Sequence, residues 1–205
     1  MATPQLRRLP SYYHIRDTQQ MVWVLNENSL IAAPLTNNIK PDSSKTIMAT
    51  PQLRRLPSYY HIRDTQQMVW VLNENSLIAA PLTNNIKPVT IEITECKHAE
   101  FYDEGKGNLV YMGIKGKGLC LFCTETQGKP TLQLEAETVM SLYDKDNSEK
   151  PFLFYHNKEG STSVFQSVSY PGWFIANSST PREPVILTQE RGTNNNTNFY
   201  LEAED

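Results

Sequence analysis

Cysteine is scarce in this chain, long apolar runs are missing, and neither sign of charge dominates. Each shortage removes a class of function. The three cysteines, Cys96, Cys120 and Cys123, are an odd number with no disulfide framework. No stretch approaches the roughly 20 apolar residues a membrane-crossing helix needs. The opening residues lack the apolar core of a signal peptide, so a soluble protein synthesised in the cytoplasm is expected. Lysine and arginine number 19 against 22 acidic residues, for a net charge of −3. That balance provides no basic face to displace counterions from nucleic acid. The one tight basic cluster, Arg54–Arg55 with its copy Arg7–Arg8, reads as a solvated N-terminal arm.

The signals for catalysis are equally thin. The four histidines, His14, His61, His98 and His156, have no carboxylate or cysteine at ligand spacing, so no metal site is expected. The segment GIKGKG at residues 113–118 has neither the Ser/Thr nor the following helix that a phosphate cradle requires, and reads as a hairpin loop. Asp103 and Glu104 share a charged loop with no partner acid. Cys120 and Cys123 form a CxxC. On a strand, residues three apart face opposite ways, which excludes a shared metal or a disulfide between them. No catalytic residue, cofactor or metal is expected, and the chain does not read as an enzyme.

What the sequence does contain is an exact repeat. Residues 1–41 recur without a difference as residues 48–88, joined by residues 42–47. One domain from Met48 to the end is long enough to bury a core. Two identical segments then compete for one place in it. Copy two runs straight into Val89, whereas copy one must close a loop some 47 residues longer, costing about 2 kcal/mol or more. Copy two is therefore expected in the domain, and residues 1–47 are a redundant preface, disordered or loosely attached. Its MVWVL and LIAAP runs are a strand-swapping liability.

Beyond Met48 the apolar pattern has period two, in short runs broken by Gly, Pro, Asn and Asp. Strands are predicted at 60–64, 68–72, 77–80, 89–95, 109–114, 119–124, 131–135, 152–156, 162–167, 173–177, 185–188 and 198–202, with one short helix-like stretch at 135–143. A fainter repeat organises them. The segments SLIAA (76–80), GLCLF (118–122) and GWFIA (172–176) each follow an apolar or aromatic strand. Each precedes a proline, and Leu77 to Pro88, Leu119 to Pro130 and Trp173 to Pro184 are all eleven residues apart. Proline at a strand's first residue removes no ladder hydrogen bond. Three four-strand units predict an all-β fold, a β-trefoil of twelve strands, with the first copy left unpaired outside it.

The stretch FQSVSYPGWFIA at residues 165–176 resembles the signature of the interleukin-1 cytokine family, carried by Phe165, Ser167, Pro171, Phe174, Ile175 and Ala176. The family usually has Thr where this chain has Asn177. Physically these residues read as core and turn: Phe165, Val168, Trp173 and Phe174 as buried side chains, and Pro171–Gly172 as hairpin chemistry. QMVWVL (67–72), PTLQL (130–134), KPFLF (150–154) and NTNFY (196–200) are similar to the interleukin-36 subfamily, and the likeness covers residues 48–205.

The resemblance implies a secreted pro-inflammatory cytokine, released by a route independent of a signal peptide. It would act as a monomeric ligand of the interleukin-36 receptor and recruit the interleukin-1 receptor accessory protein. An antagonist on the same fold is the nearest alternative. A trefoil lectin or protease inhibitor is disfavoured by the absence of repeated Gln-x-Trp motifs and of a stapled loop, and a growth factor of the same fold by the missing heparin-type patch. By the same likeness, receptor contacts fall on the trimmed N-terminus (Leu53, Arg54, Arg55), on the 97–108 loop (Lys97, His98, Asp103, Glu104) and on the 190–196 loop (Glu190, Arg191, Gly192, Thr193, Asn194, Asn195). The subfamily's aliphatic-x-Asp motif, here Ile62-Arg-Asp64, implies trimming between Gln52 and Leu53. Two glycosylation sequons, at Asn177 and Asn195, are expected to stay unmodified.

Overall fold

A computed structural model of the chain describes residues 21–26, 29–34, 56–192 and 194–204. It divides into two units, Met1–Gln52 and Leu53–Asp205. In the first, β1 (Met21–Asn26) and β2 (Ser29–Pro34) form an antiparallel hairpin that is a two-stranded sheet of its own. The pairing runs from Met21 with Pro34 to Asn26 with Ser29.

In the second unit the chain makes β3 (Ser58–Asp64), β4 (Met68–Asn73), β5 (Ser76–Pro81), β6 (Thr90–Glu95), β7 (Asn108–Ile114), β8 (Leu119–Thr126) and β9 (Lys129–Glu135). The helix α1 (Val139–Asp144) and a single 3₁₀ turn, Lys150–Phe152, come next. Then follow β10 (Leu153–Glu159), β11 (Thr162–Ser167), β12 (Phe174–Ser178), β13 (Ile186–Thr188), β14 (Asn195–Asn196) and β15 (Phe199–Ala203).

Six of these strands close on themselves in the order β3, β6, β7, β10, β11, β15 and back to β3, every neighbour antiparallel. Closure removes the free edges that invite pairing with other chains. The remaining long strands form three hairpins, β4–β5, β8–β9 and β12–β13. One hairpin follows the first strand of each repeat unit, so the architecture is a β-trefoil with the expected three-by-four arithmetic. The β4–β5 register, Met68 with Pro81 through Asn73 with Ser76, duplicates that of β1–β2. All twelve predicted strands are present within a few residues.

The core follows from the alternation. Ile62, Trp70, Ile91, Met112, Phe154, Phe165 and Phe199 are fully enclosed, each contributing about 1.5–3 kcal/mol of burial. The Trp70 ring stands edge-on to Phe199 with centroids 5.3 Å apart. A second apolar cluster seats α1: Val139 and Leu142 pack with Leu109, Tyr111, Cys120, Leu153 and Val168.

Several local expectations needed correction. The helix starts four residues later than predicted because β9 keeps Glu135 and Thr138 is the cap, its hydroxyl accepting the Ser141 N–H at 3.1 Å. β10 begins at Leu153 because Pro151 sits in the 3₁₀ turn just before it. The short strand β14, which pairs with β12, has no apolar alternation to announce it. Trp173 and Phe174, read as core, are only half-buried. The backbone bond from Ser167 N–H to the Trp173 carbonyl, 2.8 Å, ends the turn there, and the ladder then directs Ile175 rather than Phe174 into the barrel.

The two cysteines of the CxxC do face opposite ways. Cys120 lies in the cluster beneath α1 and Cys123 in the barrel core, and burial pushes both thiols up to about 12. Cys96 is partly exposed. An alkylating reagent at mildly alkaline pH should therefore modify Cys96 alone in the native protein and all three thiols after denaturation. Native labelling of Cys120 or Cys123, read by intact mass, would contradict this packing.

Candidate functional site

Gln52, Leu53, Arg54, Arg55 and Thr193 lie outside the described residues. The other candidate residues fall into three places.

The first is the buried end of β3. Ile62 is wholly enclosed, and so is Asp64. One Asp64 carboxylate oxygen accepts the backbone N–H groups of Gln66 and Met68 at 2.8 and 2.9 Å, holding the turn into β4. The other accepts the Asn177 amide at 2.9 Å, while the Asn177 carbonyl oxygen accepts the Trp70 indole N–H at 2.8 Å. The chain Trp70–Asn177–Asp64 thus satisfies every buried polar group in it. Neither residue of the aliphatic-x-Asp motif is available at the surface. The departure at Asn177 also has a reason, since its amide both accepts and donates. The asparagine of that sequon is fully enclosed.

The second place is the β6–β7 connection, residues 97–108. Lys97 and His98 reach the carbonyls of Asp144, the last residue of α1, and of Lys145 just beyond it, at 3.2 and 3.0 Å. Asp103 pairs with Lys106 at 3.3 Å and accepts the Gly105 N–H at 3.0 Å. Gly107 has a φ of +94°, and an added Cβ there would collide with the His156 carbonyl. The loop is therefore pinned at both ends, and Glu104 and Tyr102 remain exposed at its crest, Tyr102 with 59% of its surface in solvent. Tyr102 was not singled out in the sequence. A tyrosine in a charged loop looks like filler until its exposure is known.

The third place is the connection from β13 to β15. Arg191 pairs with Glu159 at 2.7 Å, donates to the Thr197 hydroxyl at 3.3 Å and lies over the Phe174 ring at 4.8 Å. The hydrogen bond from Arg191 holds the Glu159 carboxyl below the ordinary glutamate range. Gly192, with a φ of +107°, donates its N–H to the Asn195 carbonyl at 3.1 Å. Asn195 and Asn196 pair as β14 with Ser178 and Asn177. Thr65, Gln66, Thr162, Ser179, Gly192 and four asparagines, Asn194, Asn195, Asn196 and Asn198, line an open hollow of about 330 Å³ here. Of these, Gly192 and Asn194 are exposed, and so is Glu190 earlier in the connection. The neighbours Thr65 and Gln66, from the β3–β4 turn, and Thr162, at the start of β11, were missed because they lie far away in sequence.

Of the signature residues, Phe165, Ile175 and Ala176 are core. Ser167 is buried, its hydroxyl accepting the Tyr170 N–H at 3.1 Å, and Pro171 caps an exposed turn. Phe165, Ser167, Ile175 and Ala176 thus serve the fold. Among the described residues no group of His, Cys, Asp and Glu could hold a metal ion.

A family model described as Interleukin-1 / 18 matches residues 82–201. Interleukin-36 beta of Mus musculus is 56% identical over 195 residues, covering 95% of this chain and 81% of that protein. Interleukin-36 alpha of Homo sapiens is 45% identical over 192 residues, covering 94% and 92%. Among solved structures, the NMR structure of the pro-inflammatory cytokine interleukin-36alpha aligns with a TM-score of 0.63 at 44% identity, over 72% of this chain and 93% of that one. The crystal structure of chicken interleukin 1 beta gives 0.64 at 30% identity, over 72% and 97%. The chain belongs to the interleukin-1 family and, within it, to the interleukin-36 subfamily. It is a cytokine and not an enzyme.

Proposed function

We propose that this chain is a secreted pro-inflammatory agonist that binds the interleukin-36 receptor as a monomer and then recruits the interleukin-1 receptor accessory protein. The observation that carries the reading is the 56% identity to interleukin-36 beta across 95% of the chain. It is synthesised in the cytoplasm and leaves by a route that needs no signal peptide. Trimming between Gln52 and Leu53 exposes the active N-terminus. Leu53, Arg54 and Arg55 then join two loop surfaces, one of Lys97, His98, Asp103 and Glu104 and one of Glu190 to Asn195, as receptor contacts.

The pinned loops support this assignment of roles. A rigid loop loses little entropy on docking, so its exposed side chains keep more of their contact energy. Tyr102 has the anchor chemistry that interfaces favour, and more than half of its surface lies in solvent. Tyr102→Ala should weaken receptor binding by about tenfold or more with the thermal midpoint unchanged. Surface plasmon resonance on the immobilised receptor and a reporter line carrying both receptor chains test the proposal together. Binding followed by signalling supports agonism. Binding that instead blocks a known agonist establishes the antagonist, and failure to bind removes both.

A further inference from the structure

The two copies are identical in sequence, and the described parts of both have the same pairing: β1–β2 and β4–β5 match register for register. In the barrel, copy two supplies β3, β4 and β5. β3 bonds to β15 and β6, while β5 meets the segment ahead of β13 through the Ala79 N–H on the Glu183 carbonyl and the Val185 N–H on the Leu77 carbonyl, 3.1 and 2.9 Å. Trp70 donates its indole N–H to Asn177 at 2.8 Å. Every partner in these contacts, Asn177, Glu183, Val185 and Phe199 among them, lies outside the repeat. Nothing in that fixed part of the molecule can distinguish Trp70 from Trp23, Ile62 from Ile15 or Asp64 from Asp17.

We propose that the place filled by β3–β5 is a docking site with two cognate occupants within one chain, and that residues 11–34 can replace residues 58–81 in it. The contacts made are the same, so the balance between the two states rests on connectivity alone. With copy two docked, residue 88 leads directly to residue 89. With copy one docked, residues 42–88, about 47 of them, become a loop whose ends must meet. Closure weighted by the three-halves power of loop length then favours copy two by about 300-fold. The second state is a minor population of the intact chain, and it becomes the main one when copy two is damaged. The repeat therefore makes the first three strands tolerant of substitution in a way that the rest of the barrel is not.

The test uses the full-length chain in three forms. Ile62→Asp with Trp70→Asp introduces two charges into the core positions of copy two; Ile15→Asp with Trp23→Asp does the same to copy one; the third form carries all four. The copy-one form should match the parent chain, and the four-fold form should lose its cooperative unfolding transition. The copy-two form should stay folded, with its folding constant lowered by no more than about 300-fold. It should also keep one indole N–H signal protected from hydrogen exchange in the environment of Asn177, now from Trp23. Light scattering should give a monomer. Unfolding or aggregation of the copy-two form as complete as that of the four-fold form overturns the proposal. A folded dimer also overturns it, because the segment would then come from a second chain.

Discussion

A chain beginning at Leu53 is expected to drive the receptor reporter at about 100-fold lower concentration than the 205-residue chain. The barrel's first strand starts at Ser58, so trimming at this point leaves a five-residue lead. Those residues, Leu53 to Pro57, span at most about 18 Å when extended, short enough to lie against the surface beside β3. In the intact chain the same stretch continues into 52 further residues. Any receptor pocket that closes around the new terminus must then admit a second chain path, which removes the contacts of one or two anchor side chains. Losing two such anchors is an effect of this size. The comparison needs a third chain that begins at Thr50, three residues upstream. If position alone matters, that chain should resemble the full-length protein more than the trimmed one. Equal potency for all three would show that the N-terminus takes no part in recognition and would withdraw Leu53, Arg54 and Arg55 from the contact surface.

Asp64 should prove the most sensitive polar position in the barrel. Its carboxylate accepts from Gln66 N–H, Met68 N–H and the Asn177 amide, and the residue is fully enclosed. Removing it leaves these donors without an acceptor, and the cost is about 4 kcal/mol at 1–3 kcal/mol for each buried group left unpaired. For a domain of this size that lowers the thermal midpoint by about 10 °C. The substitution has to be made as Asp17→Ala together with Asp64→Ala, so that the intact copy cannot stand in for the altered one. Urea unfolding followed by tryptophan fluorescence gives the number directly. A loss below about 1 kcal/mol would mean that the turn into β4 holds without its carboxylate. The contrast with Arg191 is instructive. Arg191 also has three partners, but at a surface where its pair with Glu159 is partly solvated, and such pairs contribute little.

The barrel was legible in the sequence because two independent signals agreed. Period-two alternation placed the strands, and the eleven-residue spacing from Leu77, Leu119 and Trp173 to the following prolines arranged them in threes. Those are local regularities, and a closed ring of antiparallel neighbours satisfies them in one way. Residues whose role depends on a distant partner were not legible. Trp70 and Asn177 are 107 positions apart, and no pattern in either neighbourhood announces the bond. Phe174 looked like core because it is aromatic and sits in an apolar run; its half-burial follows from where a turn bond happens to end. Tyr102 stood out only once exposure was known, and Thr65 and Gln66 border the hollow at the β13–β15 loop through a fold contact rather than through sequence. The role of the aliphatic-x-Asp motif was likewise hidden: Ile62 and Asp64 are fixed points inside the barrel.

The ring is closed by β15 against β3, with Phe199 opposite Asp64 and Ala203 opposite Tyr60. The last described strand of the barrel is therefore the partner of the barrel's first. At about 5–20 residues per second, a ribosome needs roughly 7–30 seconds to travel from one to the other. Until β15 emerges, neither copy of the opening segment has a finished barrel to enter. The place for either copy is thus complete only once β15 has emerged to pair beside it, and order of emergence gives the first copy no advantage.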